Sequence, residues 1–200
     1  MGSNEKRRVI NMETDNKAAE DAIFALLKAM KIDPAKHPGI EDTPKRVVKM
    51  LNEVWEGERY SNDDIAKMFG KNFPTTSKGI VIVKDIPVFS YCEHHLALMY
   101  NMRVDVGYIP NGRVIGLSKV ARIAEMCAKR LQLQEKLGRD ILDVMGKIVG
   151  NNVIVRVEAE HSCVTARGIK KPGTKTVTLE TSGIFDGIEE QERFLNMLKG

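Results

Sequence analysis

The stretch YNMRVDVGY, residues 100–108, sets Tyr100, Met102, Val104, Val106 and Tyr108 in alternation with Asn101, Arg103, Asp105 and Gly107. Successive side chains of a strand point to opposite faces, so this period of two predicts a half-buried β-strand. Just upstream, IVIVKD at residues 80–85 is β-branched and predicts a second strand. Downstream, Pro110-Asn111-Gly112 supplies turn chemistry. The period then changes to that of a helix, with Ser118 as its expected cap and Val120, Ile123, Ala124, Cys127 and Leu131 as its apolar positions. A second helix follows through Leu137, Ile141, Val144 and Ile148 and is closed by Gly150-Asn151. Alternation returns where Val153, Val155, Val157 and Ala159 interleave with Ile154, Arg156, Glu158 and Glu160, and KTVTLET at residues 175–181 reads as one more strand.

Outside this block the periodicity is helical. Ala19, Ala22, Ile23, Leu26, Leu27 and Met30 form one apolar stripe over residues 17–31. Thr43-Pro44 reads as a cap followed by proline at the first helical position, opening a helix through Val47, Val48, Leu51, Val54 and Trp55. Residues 58–78 are mixed, with a short helix near residues 65–69, and residues 188–198 form a closing amphipathic helix. Two strands, two helices and two strands in that order imply an α+β domain: an antiparallel four-stranded sheet with a helical pair on one face, preceded by N-terminal helices. The expected organisation is a flexible arm at residues 1–16, a helical region at 17–78 and a catalytic domain at 79–200.

Composition narrows the function classes. A chain of 200 residues, 42% hydrophobic, can bury a full core without disulfides or a structural metal. No apolar run approaches the roughly 20 residues of a membrane span, and the opening MGSNEKRRVINMETDNK lacks the apolar segment of a signal peptide. No membrane association and a cytoplasmic location are therefore expected. Three cysteines, an odd number, argue against a disulfide framework. A net charge of +4 is too mild for a protein that holds nucleic acid by its phosphates, though it suits an anionic ligand.

Two short segments carry the chemistry. Cys92-Glu93-His94-His95 follows the first strand, and His161-Ser162-Cys163 ends the third. The two-residue gap between Cys92 and His95 allows a thiolate and an imidazole to share one ion, with Cys163 as a third ligand. Three protein ligands with an open fourth position is the arrangement of catalytic zinc. Buried, inert cysteine is the competing reading for each segment alone, and it suits Cys127 on its helix stripe. The concentration of three of the four histidines in these segments favours a site, while His37 in its proline-flanked linker reads as a surface residue. A cationic group accompanies them: Ser118, Lys119 and Arg122 in the first turns of one helix, and Arg167, Lys170 and Lys171 just past Cys163. A solvated charged face would explain such clusters, as would a polyphosphate bound beside a metal. Gln134-Glu135, between two helices, reads as a cap or as a reader of a purine edge.

The segments VIVKDIPVFSYCEHHLALMYNMRVDVGYIPNGRVIGLSKVARI, AKRLQLQEKL, EAEHSCVTARGIKKPGTKT and EDTPKRVVKML resemble the signature motifs of GTP cyclohydrolase I, over residues 18–198. The resemblance implies a zinc-dependent hydrolase that converts GTP and water to 7,8-dihydroneopterin triphosphate and formate, the first step of pterin and tetrahydrofolate biosynthesis. It matches Cys92, His95 and Cys163 to the Zn2+ ligands and His161 to the acid that protonates purine N7 as C8 is attacked. It matches His94 to a second catalytic histidine and Ser118 to a catalytic residue near the sugar. Glu135 is matched to the carboxylate that reads guanine N1 and the 2-amino group, and Gln134 to its neighbour in the pocket. Lys119, Arg122 and Arg167 are matched to triphosphate ligands, and Arg46 to another from a neighbouring subunit. The fold implied is the tunnelling fold, assembled as a toroidal homodecamer with active sites between subunits. The rival readings are a nitrile reductase on the same fold and a zinc-stabilised binding module. The segments LALMYNMRV and LETSGIF depart from the commoner family pattern without touching a matched ligand.

Overall fold

A computed structural model describes residues 14–199. The expected arm at residues 1–16 therefore lies outside the described residues except for its last three. The helices α1 (Asn16–Ala29) and α2 (Thr43–Val54) form a hairpin, followed by α3 (Asn62–Phe69). Next come β1 (Asn72–Pro74), β2 (Val81–Cys92), β3 (Ala97–Tyr108), β4 (Arg113–Ile115) and α4 (Leu117–Ala128). The chain continues through β5 (Leu131–Gln132), α5 (Gln134–Val149), β6 (Val153–His161), α6 (Ser162–Thr165), β7 (Lys175–Thr181) and α7 (Ile188–Leu198). Among the described residues no helix is long and apolar enough to cross a membrane.

The main sheet has the order β5-β2-β3-β6-β7, in which the four long strands are antiparallel and β5 adds a two-residue parallel rung to the end of β2. The helical pair α4 and α5 packs on one face through Val120, Ile123, Cys127, Leu137, Ile141 and Val144, all buried against Val104, Val106, Val155 and Val157. The opposite face is covered at one end by α7. Phe194 approaches so closely there that a Cβ on Gly107 would lie 2.8 Å from its ring. This explains why Ile154, on the polar-reading side of β6, is buried beside Phe185 and Phe194.

Several expectations shift by a few residues. The strand expected at residues 80–85 continues to Cys92 through Pro87. Among the described residues β2 has no partner on its outer side along most of its length, so a proline is tolerated there. Register shifts near Asp85, at φ 59°, and near Phe89 break the alternation that would have revealed its full length. The cap of α4 is Gly116 rather than Ser118, which lies exposed in the first turn. The cap of α2 is Asp42, one residue before Thr43. Leu131 leaves the α4 stripe to pair with Tyr91 in β5.

The segment before α3 is stitched to the helical pair. Gly57 N–H donates to Lys129 O at 2.8 Å, and a Cβ on Gly57 would meet Met126 O at 2.3 Å, so only glycine fits. Arg130 is buried and donates to Gly57 O, Tyr60 O, Asn62 Oδ1 and, at 2.6 Å, Asp140 Oδ2. Burial would push the Asp140 carboxyl up, but Lys136, Arg130 and Asn62 outweigh it and hold it below its ordinary value. A depressed carboxylate pKa contributes stability above the unfolded value that is lost as pH falls through the folded one. Asp140→Asn leaves the buried guanidinium without its anion and should cost about 3–5 kcal/mol in urea unfolding at neutral pH. The gap from wild type should narrow in acid, and an unchanged midpoint at pH 7 would contradict this role for the pair.

Candidate metal centre

β2 and β6 both deliver their carboxyl ends to one end of the sheet, because each pairs antiparallel with β3: Cys92 faces Ala97, and His161 faces Met99. The Glu93–Leu96 turn then brings His95 back, with His95 N–H donating to Cys92 O at 3.3 Å. The single turn of α6 places Cys163, and Ser162 Oγ fastens it to β3 by donating to Leu98 O at 2.7 Å. One donor atom from each of Cys92, His95 and Cys163 lies within 4.8 Å of the others. Zinc bonds of about 2.3 Å to sulfur and 2.0–2.1 Å to nitrogen put tetrahedral ligand atoms about 3.5–3.8 Å apart, so modest side-chain rotations close the set. Two thiols and an imidazole suit a borderline-soft ion. Cys92 is buried, Cys163 half-buried and His95 exposed, so access is from the His95 side. Burial and then the adjacent Cys92 thiol push the Cys163 thiol up. A bound cation reverses that effect.

Arg167 reaches this cluster, with Nη1 3.0 Å from His95 Nε2. A guanidinium only donates, so that nitrogen carries the lone pair. His94 is exposed in the same turn, its ring edge-on to His95 at 6.3 Å.

His161 stands half-buried two residues before Cys163, its Nε2 2.8 Å from Gln134 Oε1. Gln134 is buried, and its amide donates to Val157 O at 3.0 Å and Thr176 O at 3.1 Å. Those carbonyls fix which end of the amide is nitrogen, so Oε1 must accept from His161 Nε2–H and Nδ1 is left for other partners. Burial lowers the His161 pKa, while the Glu135 carboxylate pulls it upward. Glu135 is exposed in the first turn of α5. The side chain of Gln134 is thus committed inward to β6, β7 and His161.

The remaining expected residues lie elsewhere. The carboxyl end of α4 reaches Cys92 through β5, so Ser118 and Lys119 at its amino end stand about 14–15 Å along the helix from that end, and Arg122, at its midpoint, about 9 Å. Arg46 is exposed on α2 and pairs with Asp42 at 3.3 Å. A cleft of about 420 Å³ between α2, β2 and α4, lined by Val54, Pro87, Phe89, Tyr91 and Leu98 among others, contains none of the candidate residues. Cys127 is buried and its thiol is pushed up to about 12 by burial, as an inert core residue requires.

Comparison with known proteins adds a family. The model described as GTP cyclohydrolase I matches residues 19–199. A protein named GTP cyclohydrolase 1 from Clostridium acetobutylicum is 53% identical over 180 residues, covering 87% of this chain and 92% of the relative. Another of that name from Clostridium botulinum (strain Kyoto) is 50% identical over 182 residues, with 88% and 92% covered. A third, from Ruminiclostridium cellulolyticum, is 51% identical over 181 residues, with 87% and 92% covered. A solved structure of an archaeosine synthase in its apo form aligns with 54% of this chain and 97% of that one, at a TM-score of 0.45 and 23% identity.

Proposed function

Because this chain belongs to the GTP cyclohydrolase I family, we infer that it hydrolyses GTP to 7,8-dihydroneopterin triphosphate and formate around a zinc ion held by Cys92, His95 and Cys163. The fold is the α+β tunnelling fold. The observation that carries the zinc reading is the convergence of three donor atoms from two distant segments beside a half-buried histidine. Held by these three residues, a zinc ion would supply Lewis-acid activation of a water.

The chain's own residues supply the rest. His161 offers Nδ1 toward purine N7, its ring held by Gln134, and a lowered pKa makes the charged ring a readier proton donor. Glu135 accepts hydrogen bonds from guanine N1–H and the 2-amino group, and His94 handles proton transfer after ring opening. Arg167, beside His95, offers its guanidinium to an anionic triphosphate. Lys119, Arg122 and Arg46 complete the triphosphate cradle, with Ser118 beside the sugar. Since the amino end of α4 is remote from the cluster, a second copy of the chain brings these groups. The open outer edge of β2 and the outermost position of β7 suit strand pairing between copies in a closed ring, which the family resemblance makes a decamer of two stacked pentamers. The unpaired Cys92, Cys127 and Cys163 support a cytoplasmic setting.

The substrate test is guanine against hypoxanthine. Metal-loaded protein should release formate from GTP, and kcat/KM for inosine triphosphate, which lacks the 2-amino group, should be lower by roughly 10–200-fold through the unpaired Glu135. Glu135→Gln should lose most activity on GTP. Protein that takes up metal and binds GTP yet releases no formate would overturn the reading.

A further inference from the structure

Gln132 has no place in the chemistry above, yet it is fully buried. It stands in register with Cys92 in the two-residue parallel rung, and its carbonyl accepts from Glu93 N–H at 3.2 Å. The backbone of the turn that carries His95 is therefore pinned to Gln132 on one side and to Cys92 on the other. The side chain repeats the fastening from within. Its Nε2 donates to Cys127 O at 2.7 Å and Ala128 O at 3.4 Å, the last turn of α4, and lies 3.1 Å from Ser90 Oγ. Ser90 Oγ in turn donates to Arg130 O at 3.2 Å. Ser90 and Cys92 are two residues apart on β2 and both buried, so they share the face turned to α4.

The carbonyls of Cys127 and Ala128 can only accept, so the amide nitrogen faces them and Oε1 is left buried without a partner among the described residues. That is a cost which leucine or methionine of similar volume would not carry. What the amide adds over an apolar residue is direction. It locks the end of α4, the segment from Arg130 to Gln132 and the end of β2 into one register, two residues before Gln134 and Glu135 open α5.

We propose that Gln132 is a positioning residue for the metal centre, holding Cys92 and the His95 turn at the spacing a metal requires while fixing that half of the centre relative to the start of α5. The proposal rests on the metal-centre reading of Cys92, His95 and Cys163. Metal bonds tolerate displacements of only about 0.2 Å, and loss of supporting contacts around ligands typically costs 10–100-fold in affinity.

The test is chelator competition for Zn2+ and for Co2+ on the full-length wild type, Gln132→Met, Ser90→Ala and the ligand variant Cys163→Ser. Gln132→Met should bind both metals roughly 10–100-fold more weakly than wild type. Its Co2+ thiolate and ligand-field bands should shift, and metal-free melting should stay near that of wild type because the amide's burial cost is relieved. Excess zinc should restore formate release. Wild-type affinity and unshifted bands in Gln132→Met would overturn the proposal. If that variant does not fold, Ser90→Ala, which removes the hydroxyl linking Gln132 to Arg130, should show a loss at the lower end of the same range, and an unchanged affinity there would overturn it. Equal, negligible affinity in wild type and Cys163→Ser would instead refute the metal-centre reading itself.

Discussion

Cys163→Ser should leave a folded subunit with neither bound zinc nor measurable formate release. Cys163 is one of only two thiols in the cluster and the sole ligand from the β6 side, so its removal leaves Cys92 and His95, which come from one turn and cannot close a tetrahedral site. The fold does not depend on it. The sheet and the α4–α5 layer are closed by Val104, Val106, Val155, Ile123, Ile141 and their neighbours, while Cys163 only borders that core. Metal analysis after dialysis should fall from about one zinc per subunit to near zero. Circular dichroism should remain that of the wild-type apo form. A variant that keeps zinc and turnover would remove Cys163 from the ligand set; one that cannot fold would favour the zinc-stabilised module.

His161→Ala separates chemistry from metal binding. The imidazole is not one of the three donors, so zinc content should be unchanged. Formate release should fall by roughly 10²–10⁴, the usual worth of a positioned general acid. A secondary cost is built in. Gln134 Oε1 loses the hydrogen bond to His161 while its nitrogen stays on Val157 O and Thr176 O, which should destabilise the subunit by about 1–3 kcal/mol. Melting should drop by roughly 2–4 °C for each kcal/mol. Full activity in the variant would contradict the assigned role; an unchanged melting temperature would show that Gln134 is not tied to His161 as the geometry implies.

The parts of the structure legible in the sequence were those with a sustained period. Alternation in residues 100–108 and 153–160, and the apolar stripes of α4 and α5, located the central elements within a few residues because burial on one face imposes that pattern. The strands β1 and β5, of three and two residues, are too short to carry a period. The N-terminal stripe located α1 as expected, yet none of the helix's residues is buried in the single chain, and Leu26 and Met30 stay exposed. Periodicity reports that a face is apolar without reporting what covers it.

At the site, Cys92, His95 and Cys163 were legible because ligand chemistry restricts residue types so strongly. The placement of Ser118 and Lys119 at the end of α4 opposite the one that reaches Cys92 was not, since it follows from the direction in which α4 runs. The inward commitment of Gln134 was hidden, because a polar residue at a helix start reads as a cap or a ligand contact, and the burial of Gln132 carried no signal because the rung that holds it is only two residues long.

The most direct test of the central claim follows the carbon that the proposed reaction removes. GTP labelled with 13C at C8 is incubated with zinc-loaded protein and observed by 13C NMR. The account predicts that the label leaves the purine and appears as formate, one per GTP consumed, while the triphosphate stays intact on the pterin product. Label retained in the purine under conditions where zinc and GTP are both bound, or phosphate release in place of formate, would contradict it.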